Sequence, residues 1–160
     1  MSNAKPATID LADFLRAQRR ERYPVAVVHG LPFTGKSTFA RQLAQRNSFG
    51  YLDVLTEVGN RPELTETIDR FDVAALRTLI LSYSIAAGAD VLLIDELDFL
   101  VPVWAGDLVS FQEMVRRLRH PEKQITFGFF IQTRPLLAQW RLLNAAQVSC
   151  VLPFESIRSL

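Results

Sequence analysis

Residues 25–44, "VAVVHGLPFTGKSTFARQLA", constrain the fold more than any other stretch of the 160-residue chain. A run of β-branched residues leads to Gly30, Gly35 follows five positions later, and Lys36 and Ser37 then open a helical pattern. The opening residues read as a short apolar strand, and Phe39, Leu43 and Ala44 give the helical residues a single apolar face. A chain that passes from strand to helix through two glycines can fold tightly enough for several N–H groups to point inward. That concave set of donors, with the positive end of the next helix behind it, suits a phosphate. The G-x-x-x-x-G-K-S spacing also places Lys36 within reach of β- and γ-phosphates and offers the Ser37 hydroxyl to Mg²⁺. With average glycine usage, a chance match in such a chain is on the order of half a percent. The loop Gly30, Leu31, Pro32, Phe33, Thr34, Gly35, Lys36, Ser37 and Thr38 is therefore the expected nucleotide-binding segment. The plain alternative is a glycine-rich turn with an exposed lysine.

Strand and helix patterns alternate along the rest of the chain. A helix is expected from about Asp10 to Arg22, stopped by Pro24, which makes residues 1–23 an N-terminal helical segment and 24–160 the main domain. "GYLDVLTEV" (50–58) reads as a second strand and "GNRPELTETIDRF" as a polar loop. "DVAALRTLILSYSIAAG" reads as a buried helix begun by Asp72 and ended by Gly88. "DVLLID" lacks alternation, so both faces of this third strand are covered. A helix "LVSFQEMVRRLRH", a fourth strand "QITFGFFIQT", a helix "PLLAQWRLLNAA" from Pro135 and a fifth strand "QVSCVLPF" complete the order. This alternation predicts a three-layer α/β/α sandwich around a mostly parallel five-stranded sheet.

The third strand ends abruptly in Asp95 and Glu96. Carboxylates at the end of a buried strand are costly unless paired or bound to a metal. Ligands of open parallel sheets sit at the carboxyl ends of the strands, which puts Asp95 on the same edge as the glycine loop. Asp95 is then the candidate partner of Ser37 in holding Mg²⁺, and Glu96 the candidate base that orients or deprotonates an attacking water. The fourth strand ends in Gln132, Thr133 and Arg134 on that edge as well. A polar group there can sense the γ-phosphate, and Arg134 can stabilise charge in the transition state. Helix capping, strand-end polarity and a surface arginine are the structural alternatives for these residues.

Composition narrows the class. Charged residues make up 22% and the net charge is +1, so no global field draws the chain to nucleic acid or membrane. The arginines of "FLRAQRRERY" and "VRRLRHPEK" leave nucleic-acid contact open, beside the simpler reading of two solvated helix faces. The lone Cys150 sits among apolar neighbours and reads as a buried thiol in a reducing compartment. No signal-peptide core or membrane span is visible, so a cytoplasmic location is expected. Trp104 is either a partner contact or a tucked-in loop anchor, and His29 a packing residue at a strand end.

Taken together, "GLPFTGKST", "LLIDELDFL" and "FIQTRP" resemble the P-loop NTPases of the additional-strand, catalytic-glutamate division, and within it the AAA-type and STAND-type ATPases. Thr133 and Arg134 are similar in kind to the STAND Thr-x-Arg, and "VLPF" resembles the end of the AAA core. The chain also resembles the small P-loop component of BREX-type phage-defence systems. The likeness spans residues 24–154 and implies a strand order of 5-1-4-3-2. It also implies Walker A and Walker B motifs, bound ATP rather than GTP, Mg²⁺, and hydrolysis carried by Lys36, Glu96, Gln132 and Arg134. Three features depart from the family pattern. Pro32 and Phe33 are bulky for such a loop, "LLNAAQ" stands where an intersubunit arginine is usual (Arg141 is nearest), and no helical lid is expected before Leu160. A homo-oligomer or a partner protein is thus expected to complete the site. Two other readings stay open: a small-molecule kinase with Asp53 as the acid that binds the acceptor hydroxyl, and a non-hydrolysing nucleotide switch.

Overall fold

The computed structural model describes residues 9–160. Its sheet has five strands, β1 (Val25–Gly30), β2 (Gly50–Asp53), β3 (Val91–Asp95), β4 (Thr126–Gln132) and β5 (Val151–Pro153), in the order β2-β3-β4-β1-β5. Every pairing is parallel. The order is the expected one, and the sheet is parallel throughout. The helices are α1 (Leu11–Gln18), α2 (Lys36–Asn47), α3 (Val54–Gly59), α4 (Pro62–Thr65), α5 (Val73–Ala87), α6 (Leu100–Val103), α7 (Leu108–Arg117) and α8 (Pro135–Ala138).

Strand residues alternate between two apolar clusters, so helices cover both faces. Ala26, Val28, Leu93 and Phe130 pack with Leu11 and Leu15 of α1 and Phe39 and Leu43 of α2. On the other face Val25, Val27, Phe127 and Phe129 meet Leu76 and Ile80 of α5 and Phe111 and Val115 of α7. The N-terminal helix packs on the same face of the sheet as α2, and residues 1–8 of the expected segment lie outside the described ones.

Several boundaries differ from the sequence reading. The first helix stops at Gln18, whose buried side chain donates to the Tyr23 and Val25 carbonyls. The second strand stops at Asp53, whose carboxylate accepts from Thr56 N–H and caps α3. Val54 and Val58 then bury on helical rather than strand spacing. The polar loop after it contains α4 and a 3₁₀ turn at Ile68–Arg70. The helix from Pro135 is a single turn, and further on Asn144 accepts from Ala146 and Val148 N–H as the chain folds into a hairpin. Cys150 N–H then bonds to the Leu142 carbonyl across it. Strand β5 is correspondingly short. By contrast α5 runs as expected, with Asp72 accepting from Ala75 N–H at its start and Gly88 in the left-handed region at φ 65° at its end.

Candidate functional site

Parallel pairing brings the strand ends to one edge. Gly30 of β1 lies opposite Gln132 of β4, and Asp53 of β2 opposite Asp95 of β3. Helix α2 crosses over β4, β3 and β2, so the loop that joins β1 to α2 arches above the ends of β3 and β4. Beneath it is a cavity of about 300 Å³ lined by Pro32 to Thr38, Asp95, Glu96, Asp98 and Gln132.

The loop requires its glycines for different reasons. A Cβ on Gly30 would come within 2.9 Å of Phe154 Cβ and 3.0 Å of Lys36 Cδ, so close approach excludes a side chain. Gly35 sits at φ 88° as the N-cap of α2, a conformation that favours glycine. Phe33 adopts φ 62° without that freedom and is fully exposed. Thr34 Oγ1 and Lys36 Nζ both donate to the Leu31 carbonyl, at 2.8 and 2.7 Å. Burial holds the Lys36 ammonium below the ordinary lysine range, against the upward pull of Asp98, Asp95 and Glu96.

The acids occupy distinct environments. Asp95 is only 3% exposed, and its Oδ2 accepts from the Tyr51 hydroxyl at 2.7 Å. Burial, and then this bond, push the Tyr51 phenol well above its ordinary range, so it remains a donor. Glu96 sits at φ 57°, and its Oε1 accepts from Ser37 Oγ at 2.8 Å. A left-handed glutamate costs backbone energy and is the kind of strain that collects at functional positions. Asp98 is tied to the end of β4: its Oδ1 accepts from Gln132 N–H at 3.0 Å and from Arg134 Nη1 at 2.9 Å. Arg134 also donates to the Gln132 carbonyl. His29 Nδ1 and Thr133 Oγ1 are 3.0 Å apart, and burial lowers the His29 pKa.

Most of the residues expected from the sequence thus converge. Lys36, Ser37, Thr38, Asp95, Glu96 and Gln132 line the cavity with Pro32, Phe33, Thr34 and Gly35. Gly30 and Leu31 shape the loop from behind, and Arg134 is tied to Asp98 instead of lining the cavity. Arg141 is exposed in the chain after α8. Asp98 and Tyr51 are additions that the sequence reading did not single out.

The donor set is oxygen-rich, which is the chemistry Mg²⁺ prefers. Among the described residues no three His, Cys, Asp or Glu side chains form a metal cage. One hydroxyl and one or two carboxylates fit Mg²⁺ only when substrate phosphates supply further oxygens, which is how this ion is commonly held.

Comparison with known proteins assigns no family: no protein-family model matches the chain, and no curated protein or solved structure matches it. Among the described residues no helix is long and apolar enough to cross a membrane.

Proposed function

We propose that the chain is a Mg²⁺-dependent ATPase with a core of the AAA/STAND type, in which residues 30–38 act as Walker A and Asp95–Glu96 as the end of Walker B. The observation that carries this reading is the convergence, over one cavity, of the glycine loop, the first turn of α2 and the two carboxylates that end β3.

Lys36 and the loop amides bind the triphosphate, and Ser37 and Asp95 are the residues that would hold Mg²⁺. The ion, when bound, neutralises charge on the β- and γ-phosphates. Glu96 orients the water and accepts its proton, so its carboxylate has to leave Ser37 for the γ-phosphate side. Gln132 faces the same space, and Arg134 is available once released from Asp98. The loop side of the cavity is open to solvent, since Leu31 and Phe33 are exposed. Water there weakens transition-state electrostatics, and an oligomer or partner protein that covers it raises turnover. Asp53, the acid that a small-molecule kinase would need, uses its carboxylate to cap α3.

Calorimetry with ATP and GTP tests the reading directly. Lys36→Ala is expected to abolish ATP binding while circular dichroism stays unchanged, and unaltered affinity would sink it. Release of free phosphate, rising per molecule with protein concentration, is the expected turnover; a phosphorylated metabolite would indicate the kinase.

A further inference from the structure

We propose that Tyr51 is a positioning residue of this site, fixing the Asp95 carboxylate for the cation that accompanies the triphosphate. The proposal rests on the nucleotide-binding reading above and adds a residue from β2, a strand that supplies none of the cavity lining.

The two carboxylates at the end of β3 are held by different regions of the fold. Glu96 is bonded to Ser37, which belongs to the loop that a nucleotide would occupy, so this contact is one that ligand binding rearranges. Asp95 is bonded to Tyr51, which lies outside the loop. Tyr51 is itself braced. The Arg41 guanidinium of α2 lies 5.8 Å from its ring centroid, the Tyr83 hydroxyl of α5 donates to its carbonyl at 2.9 Å, and its backbone pairs with Leu93 of β3. Arg41 Nη2 is in turn 3.9 Å from Asp53 Oδ2.

With its ring beside Arg41 and its backbone fixed by Tyr83 and β3, the phenol can stop the Asp95 carboxylate from turning about its own side-chain bonds. With Oδ2 occupied, Oδ1 accepts no protein hydrogen bond among the described residues and is the oxygen left for the ion or its water shell. Cation sites need their ligands fixed to fractions of an ångström, and carboxylate ligands are commonly oriented by just such outer hydrogen bonds. A brace that merely joined β2 to β3 would not need a hydroxyl aimed at the one nearly buried carboxylate of the edge.

Tyr51→Phe removes the hydroxyl, and with it the hydroxyl's interaction with Arg41, and keeps the ring, its packing and the guanidinium over its face. ATP binding is measured by calorimetry with excess Mg²⁺ and again with a chelator, for wild type, Tyr51→Phe, Asp95→Asn and the double variant, with thermal unfolding as the check on folding. Tyr51→Phe is expected to weaken Mg²⁺-supported binding by about tenfold or more, to leave chelator binding unchanged, and to add nothing in the Asp95→Asn background. Equal losses with and without Mg²⁺, an additive loss in the double variant, or no loss at all would overturn the proposal. If wild type binds Mg·ATP and Tyr51→Phe matches it, only this inference falls. If wild type binds no nucleotide, the functional reading falls with it.

Discussion

The cleft between the 3₁₀ turn at Ile68–Arg70 and the α6–α7 connection encloses about 620 Å³, against about 300 Å³ beneath the Gly30–Gly35 loop. Both are edged by acids and both contain left-handed backbone, at Ala105 in the larger and at Phe33, Gly35 and Glu96 in the smaller. They differ in what their polar groups are occupied with. In the larger cleft Asp72 caps α5, Asp107 caps α7 through Val109 and Ser110 N–H, and Trp104 Nε1 donates to the Phe71 carbonyl at 2.9 Å. These groups complete secondary structure. In the smaller cavity Ser37, Glu96, Asp95 and Lys36 are engaged in side-chain contacts that a ligand can replace or build upon. Size ranks the clefts one way, and the convergence of bonded polar side chains ranks them the other.

The sharpest way to separate them is Glu96→Gln, which keeps a hydrogen-bond acceptor for Ser37 but no base. Hydrolysis is expected to fall by about 10²–10⁴ while Mg·ATP stays bound. A phosphate-release assay beside a binding isotherm reads both, and normal turnover would return the base role to another group.

Trp104→Ala tests the opposite cleft. The ring is 8% exposed, stacks on Phe111 at a centroid distance of 6.0 Å and anchors Phe71. Its loss is expected to cost about 3–5 kcal/mol in urea unfolding, with the ATP affinity of the folded fraction unchanged. A selective loss of nucleotide affinity would join the two clefts and break the contrast.

The smallest expected effect is on the nucleotide-free fold. Lys36 is held below its unfolded pKa by burial, so the folded state binds fewer protons and this group's stability cost eases as pH rises towards the ordinary lysine range. Lys36→Met is therefore expected to unfold at a temperature no lower than wild type at neutral pH and to lack that alkaline gain. A lower midpoint at neutral pH would mean that Lys36 braces the loop through Leu31 more than it strains it.

Elements with strong end signals were legible in advance, and α5 between Asp72 and Gly88 is the clearest. Of the overextended elements, the second strand failed where one polar side chain redirects the backbone, Asp53 capping α3 after β2. Apolar patterning carries no trace of such a bond. The place of the glycine loop between β1 and α2, and of Asp95 at the end of β3, followed from the sequence pattern. Tyr51 and Asp98 were not legible, because neither falls within a recognisable interval of the residue it serves; each meets it only because the strands end on one edge, 44 positions away for Tyr51 and Asp95 and 36 for Asp98 and Arg134. Trp104 is tucked in as an anchor, and Cys150 is buried, with its thiol pushed up to about 12 by desolvation.

The central position of β1 has a consequence for how the chain acquires its structure. Its two partners are β4 and β5, so residues 25–30 wait for residues 126–132 and 151–153 before either side is paired. A chain emerging from the ribosome can pair β2 with β3 long before then, while β1 remains an apolar strand with both edges unmatched. Such distant pairing slows folding and lengthens exposure to intermolecular association. The strand that leads into the glycine loop is thus fixed later than β2 and β3, and the loop acquires its shape only after residues 126–153 have been synthesised.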